Sequence, residues 1–258
     1  MVLDVNRLAR RLDEARLAGR EVERLTLEFP DLTLEQAYRI MDTGITLRRE
    51  HGEHGVGLKM GLTSEAKRQQ MGLGAPIYGV LTDAMRVRGN FRMAGTLHPK
   101  IEPEIAFHFA DGLKGCPGRS EVLAACTGVC AALEILDSRY RDFKYFSLPD
   151  VVADNASSSH FVLADSWTDV DGVELGELEL AMSLDGVVRQ RARGNAISGD
   201  PVLSVVQLCA LLDSRGRTLP PDSVVLAGAA TAAEPLQVGQ VVSLHVDRLP
   251  VVNVSITA

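Results

Sequence analysis

The chain has only four cysteines, Cys116, Cys126, Cys130 and Cys209, and no Cys-x-x-Cys pair. That absence removes the simplest zinc and dithiol chemistries; Cys126 and Cys130, set among small apolar residues, read with the other two as core residues. No stretch concentrates Lys and Arg, and a net charge of -7 argues against a nucleic-acid surface. A membrane span would need about 18 consecutive apolar residues, and no such run occurs. The first residues, Met-Val-Leu-Asp-Val-Asn-Arg, lack the apolar stretch of a signal peptide, so a soluble, cytoplasmic protein is expected. There is also no phosphate loop and no Gly-x-Ser-x-Gly elbow. Small-molecule chemistry is what remains, on a chain whose 258 residues and 46% hydrophobic content can bury a sizeable core.

The apolar periodicity changes along the chain. Val5, Leu8, Leu12 and Ala15 recur at three- and four-residue intervals, the spacing of an amphipathic helix. Thr33 and Gln36 can form a capping box ahead of a second helix through Ala37, Ile40, Met41 and Ile45. Residues 1–55 are therefore expected to form an N-terminal helical layer, and 56–258 a core of mixed β-structure with flanking helices. From Val56 onward, short apolar runs punctuated by glycine predict strands at 56–61, 77–81 and 105–109. A helix is expected over 120–132, feeding a strand at 133–136, and Asp200-Pro201 marks another helix start. Asp185-Gly186 signals a hairpin, and the β-branched runs at 224–226, 241–246 and 251–256 favour a mixed or antiparallel sheet closed on itself over a doubly wound one.

Three carboxylates stand out because each is embedded in apolar sequence: Glu102 and Glu104 in Lys100-Ile-Glu-Pro-Glu-Ile-Ala-Phe107, and Glu134 in Ala132-Leu-Glu-Ile-Leu136. Isolated, such groups would lose too much hydration to stay ionised; around a hard divalent cation their charge is compensated. Glu102 and Glu104 are two apart, so on a strand they share a face, with Pro103 pointing away. Three oxygen ligands would leave an octahedral Mg²⁺ or Mn²⁺ about three positions for water or a chelating substrate. By spacing alone, solvated strand carboxylates or salt bridges to Lys100 and Arg139 are an equal alternative.

Lys59, between Gly57 and Gly61, could clamp a carboxylate or an oxyanion, or be an ordinary edge-strand lysine. Asp154 and Asn155 lie in a polar stretch ending at Ser159; they could orient Lys59 or a water, although such residues more often satisfy turn backbone. The small-residue segment Leu226 to Ala233 would let a ligand lie against backbone amides, with Thr231 offering a hydroxyl, or pack tightly at an element crossing. His108, between two Phe on a strand, reads as packed and is not assigned.

Taken together, Gly57-Leu-Lys-Met-Gly-Leu-Thr-Ser64, the 100–107 segment, Ala132-Leu-Glu-Ile-Leu-Asp-Ser-Arg-Tyr-Arg-Asp-Phe143 and Ala153-Asp-Asn155 resemble the hydratase/decarboxylase family of catechol meta-cleavage pathways, within the fumarylacetoacetate hydrolase superfamily. The resemblance spans nearly the whole chain. It implies an α+β fold, a mixed β-roll or barrel with helices around it, and a Mg²⁺ or Mn²⁺ held by Glu102, Glu104 and Glu134. Hydratases of the family typically carry Pro-Asp-(Phe/Tyr)-Gly, where this chain has Pro76-Ile-Tyr-Gly79. Ile77 cannot do acid–base work, which points to the decarboxylase branch.

The resemblance thus implies metal-dependent loss of CO₂ from a 2-oxo dicarboxylic acid, 2-oxohex-3-enedioate, giving 2-hydroxypenta-2,4-dienoate. In that chemistry Lys59 would assist the developing oxyanion or hold a carboxylate, Asp154 and Asn155 would orient it, and Arg139, Ser159 or Thr231 would help fix the substrate. The family also implies an oligomer and a complex with a dienoate hydratase. The alternatives are a 2-hydroxypenta-2,4-dienoate hydratase, an acylpyruvate hydrolase, or a non-catalytic partner of such a hydratase.

Overall fold

The computed structural model describes residues 3–64, 76–143 and 147–258. Helix α1 (Val5–Ala18) starts on Asp4, whose side chain accepts from the Arg7 amide, and buries Leu8, Leu12 and Ala15. Each buried leucine contributes about 1.5–3 kcal/mol relative to exposure. The short helix α2 (Leu25–Glu28) follows, then α3 (Leu34–Glu50), which opens on the expected capping box: Thr33 N donates to Gln36 Oε1 at 2.9 Å and Gln36 N to Thr33 Oγ1 at 3.2 Å. The apolar stripes of α1 and α3 join the buried core of the strands that follow.

The described strands form two sheets. The first contains β1 (Gly55–Gly61), β2 (Ile77–Thr82), β4 (Lys100–Phe109), β5 (Gly128–Leu136), β6 (Ser158–Leu163) and β9 (Ser223–Leu226), in the order β2-β1-β9-β4-β5-β6, with β10 (Glu234–Pro235) paired to β4. The second orders β3 (Asn90–Arg92), β12 (Val252–Thr257), β11 (Val241–Val246), β7 (Glu179–Leu184) and β8 (Val187–Arg193) as β3-β12-β11-β7-β8. Within these sheets β1–β9 and β12–β3 are the parallel pairings and the rest are antiparallel. The expected roll thus takes the form of two sheets, with β11 and β12 against β5 and β6. The β7–β8 hairpin turns on Asp185 and Gly186, both at positive φ, as the dipeptide signalled.

One boundary differs from expectation. The helix read over 120–132 is only Arg119–Ala125 (α4), and β5 runs unbroken from Gly128. All nine residues of β5 are buried, so its sequence shows no alternation, and a continuous apolar run looks the same on a buried strand as on a buried helix. Cys130 therefore lies on a strand. Cys130 and Cys209 are buried thiols, but Cys116 is exposed rather than a core residue.

Two further helices complete the described fold. The helix α5 (Leu148–Ala153) leads into the turn before β6. The last, α6 (Pro201–Asp213), is capped by Asp200, whose side chain accepts from the Val202 amide at 2.9 Å. It lies within Gly194–Asp213, which among the described residues is the one helical stretch long and apolar enough to cross a membrane, but it buries Val202, Val205, Leu208 and Leu212, as a core helix does.

Candidate metal centre and its cavity

The ladder between β4 and β5 sets Glu102 directly opposite Glu134 and Glu104 opposite Ala132. Alternation along β4 puts Glu102 and Glu104 on one face, and one oxygen from each of the three carboxylates lies within 4.8 Å of the others. Glu104 and Glu134 are fully buried and Glu102 is half-buried. Burial, followed by the like charges of Glu134 and Glu102, pushes the Glu104 carboxyl well above the ordinary carboxylate range. Its Oε2 accepts from the Gly228 amide at 2.7 Å, while its buried Oε1 has no hydrogen-bond partner. Three hard oxygen donors, converging with one buried oxygen left over, fit a divalent cation such as Mg²⁺.

Pro103 explains why the Gly228 amide is available. Its carbonyl accepts from Ala230 N at 3.0 Å, on the side where the missing proline N–H would have pointed. The ladder lapses there between β9 and β10, and the segment Ala227–Ala230 crosses over Glu104 instead of continuing as a strand. Gly228 has φ 108°, and a Cβ added to it would lie 2.5 Å from Thr63, so glycine is required on both counts. The small-residue segment read as a bed for ligand amides thus directs its amides at β4: Ala227 to Ile105, Gly228 to Glu104 and Ala230 to Pro103.

Lys59 comes from β1. Its ammonium, 3% exposed, lies 3.1 and 3.2 Å from the two Glu134 oxygens. The strand is placed by β2, where Gly79 sits opposite Lys59, and by Asn155, whose Oδ1 accepts from Val80 N at 2.8 Å and whose Nδ2 donates to Val80 O at 2.9 Å. A Cβ at Gly79 would meet Asn155 O at 2.7 Å and Lys59 Cε at 3.3 Å, so Asn155 and the Lys59 stem close in on that glycine. Asn155, Ala156 and Ser157 are three consecutive residues at positive φ (51°, 52° and 56°), a conformation that costs of order 1 kcal/mol or more per residue. The Asn155 clamp and the Asp137 N to Ser157 O bond at 2.9 Å hold this turn.

Above the carboxylates opens a cavity of about 560 Å³. Lys59, Glu102, Ile77 and Lys100 line it, with Leu136, Tyr140, Phe143 and Val151 among its apolar walls. Ile77 makes this part of the wall apolar. Ala229 and Ala232 contribute to the wall on either side of Thr231, whose hydroxyl donates to Ala232 O at 3.2 Å.

Two expected substrate contacts fall elsewhere. Arg139 is 3% exposed, and its Nε donates to Asp154 Oδ1 at 2.6 Å, its Nη2 to Asp154 O at 3.0 Å and its backbone N to Asp154 Oδ2 at 3.0 Å. Burial pushes the Asp154 carboxyl up, against the pull of that guanidinium. Asp154 therefore orients Arg139 and not Lys59. Ser159 bonds His160 Nδ1 at 2.8 Å and, with Arg139, lines a separate cavity of about 540 Å³. The physical reason is strand parity: Ser159 and Ser158 project to opposite faces of β6, and a residue next to a polar turn cannot be assigned a face before the register is known. His108 bonds Thr127 and Asp222 at 2.6 and 3.0 Å, away from the carboxylates. Lys100, Leu136 and Tyr140 are cavity residues that sequence reasoning passed over; Lys100 had a legible signal, two residues before Glu102 on the same strand face.

Two sheets in a roll, with a triad of carboxylates, two of them fully buried, beside a buried lysine, define the class. Residues 70–257 match the family described as Fumarylacetoacetate (FAA) hydrolase C-terminal, and the chain belongs to that family. It is 42% identical to a 4-oxalocrotonate decarboxylase of Pseudomonas sp over 99% of both chains. It is 32% identical to a 2-hydroxyhexa-2,4-dienoate hydratase of Comamonas testosteroni, covering 96% of this chain and 95% of that one. Among solved structures, the 4-oxalocrotonate decarboxylase from Pseudomonas putida G7, complexed with magnesium and adipate, superimposes with a TM-score of 0.93 at 36% identity over 99% of both chains.

Proposed function

We propose that this chain is a metal-dependent decarboxylase of 2-oxohex-3-enedioate (4-oxalocrotonate), releasing CO₂ and 2-hydroxypenta-2,4-dienoate. The observation that carries the reading is the Glu102, Glu104 and Glu134 cluster, with the Lys59 ammonium 3.1 Å from Glu134, at one end of a largely apolar cavity. Those three carboxylates would hold Mg²⁺, which when bound would supply Lewis acidity toward a 2-oxo group. Lys59, its Nζ paired with Glu134 at 3.1 Å, serves the oxygen that becomes negative as CO₂ departs. Asn155 fixes the strand pair that presents Lys59, and Thr231, next to the wall residue Ala232, is assigned to the substrate by its hydroxyl. The apolar walls, Ile77 included, exclude water and disfavour the charged carboxylate relative to neutral CO₂. No aspartate stands at position 77 to manage water addition, which weighs against hydration.

The reading extends to the oligomer and to a dienoate hydratase as partner. Exposed Val187, Val188 and Val241, grouped at the turn end of the β7–β8 hairpin, support an association surface.

The test is CO₂ release from 2-oxohex-3-enedioate by the purified protein with Mg²⁺, with and without EDTA. Metal-dependent release is expected. Absence of release with hydration of 2-hydroxypenta-2,4-dienoate would move the chain to the hydratase branch, and size-exclusion of the protein with such a hydratase reads the association.

A further inference from the structure

Among the described residues, two cations line the cavity, Lys59 and Lys100, and their surroundings differ. Lys59 is ion-paired to Glu134. Lys100 is half-buried, and its ammonium rests 4.3 Å from the centroid of the Phe143 ring, with no described carboxylate in ion-pair range. The attraction of an ammonium to an aromatic face is weak, about 0.5–1 kcal/mol where solvent reaches it, so a carboxylate can draw the Lys100 ammonium from the ring. Lys100 precedes Glu102 by two positions, so it shares the face that carries the metal-site carboxylates, at a Cα spacing of roughly 7 Å. It also sits opposite Leu136, another wall residue. An extended six-carbon diacid, with bonds of about 1.5 Å, spans roughly 6 Å between its terminal carbons.

Resting on the decarboxylase reading above, we propose that Lys100 is a specificity-determining residue, the receptor for the distal carboxylate of a 2-oxo dicarboxylic acid whose 2-oxo end lies at Glu102, Glu104 and Glu134. The contact belongs to the ground state. When the C5–C6 bond breaks, its electron pair becomes the C4–C5 double bond, the C3–C4 pair shifts to C2–C3, and the carbonyl pair moves to the C2 oxygen, which takes one proton. The carboxylate on Lys100 leaves as neutral CO₂, so the ion pair weakens as the transition state forms. Lys100 therefore selects and retains the diacid without accelerating its breakdown.

The experiment is calorimetric binding of 2-oxoadipate and 2-oxohexanoate, equal in length but differing in the distal carboxylate, to the Mg²⁺-loaded full chain. The wild type should prefer the diacid by about tenfold to a hundredfold, the range of one charge-assisted contact. Lys100→Met should bring that ratio within about twofold of unity by weakening the diacid alone, while Lys100→Arg keeps the preference. With 2-oxohex-3-enedioate, Lys100→Met should raise KM by a similar factor and leave kcat undiminished. The proposal is overturned if the wild type binds both acids equally, if the preference survives in Lys100→Met, or if kcat falls at unchanged KM. Failure of the decarboxylase reading shows separately, as absence of metal-dependent CO₂ release by the wild type, whatever the binding ratios.

Discussion

Glu102 and Glu134 face each other across the β4–β5 ladder, two acidic residues in direct register on one sheet face, with Glu104 buried beside them. Like charges directly opposite are destabilising in a sheet unless a cation lies between them. Removing metal should therefore expose a cost. Glu104→Gln is expected to abolish Mg²⁺-dependent turnover, yet leave the EDTA-treated protein at least as stable as wild type, because it removes a buried charge. Added Mg²⁺ should raise the wild-type melting temperature and not that of Glu104→Gln, as calorimetry can read. A wild type indifferent to EDTA in both activity and melting would refute the metal site.

Lys59 contacts a metal-site carboxylate without belonging to the set. Lys59→Met should reduce kcat by about 10²–10³, the usual effect of losing one oxyanion-stabilising group, while calorimetric Mg²⁺ affinity persists. Loss of Mg²⁺ binding in this variant would reassign the lysine to maintenance of the site.

Gly228 has room for nothing larger. Gly228→Ala should force Thr63 to move, strain a φ of 108° and disturb the 2.7 Å bond to Glu104. A destabilisation of about 1–3 kcal/mol in urea is expected, with weakened Mg²⁺ binding. Unchanged stability and metal affinity would show that the Ala227–Ala230 segment adapts freely.

The Arg139–Asp154 pair is buried on both sides, at 3% and 4% exposure. Arg139→Met or Asp154→Leu alone should cost about 3–5 kcal/mol, because each leaves an uncompensated buried charge, and the double variant should recover much of that. If Arg139 instead bound substrate, Arg139→Met would raise KM in a protein of near-normal stability.

His160 provides a pH dependence with a definite sign. Burial, then the charges of Arg48 and Arg139, lowers its pKa from 6.5 to about 4. The unfolded chain protonates this histidine first on acidification, so folding stability should fall as pH drops from about 6.5 to 4, by at most roughly 3 kcal/mol. His160→Gln should flatten that part of the stability curve in urea titrations at several pH values; an identical curve would show that His160 contributes no linkage.

Much of this protein is determined by its sequence alone. The capping box at Thr33 and Gln36, the hairpin at Asp185-Gly186 and the Asp200-Pro201 helix start are local chemistry, satisfied within a few residues of one another, and so are legible one segment at a time. Glu102 and Glu104 were equally legible, since strand alternation alone puts them on one face. The tertiary structure decided what depends on register and packing: that Glu134 lies opposite Glu102, that Lys59 meets Glu134 across 75 residues of chain, and that Gly228 points its amide at Glu104. It also decided that Arg139 belongs to Asp154 and that the fully buried β5 is a strand, because burial on both faces erases the period by which strand and helix are told apart.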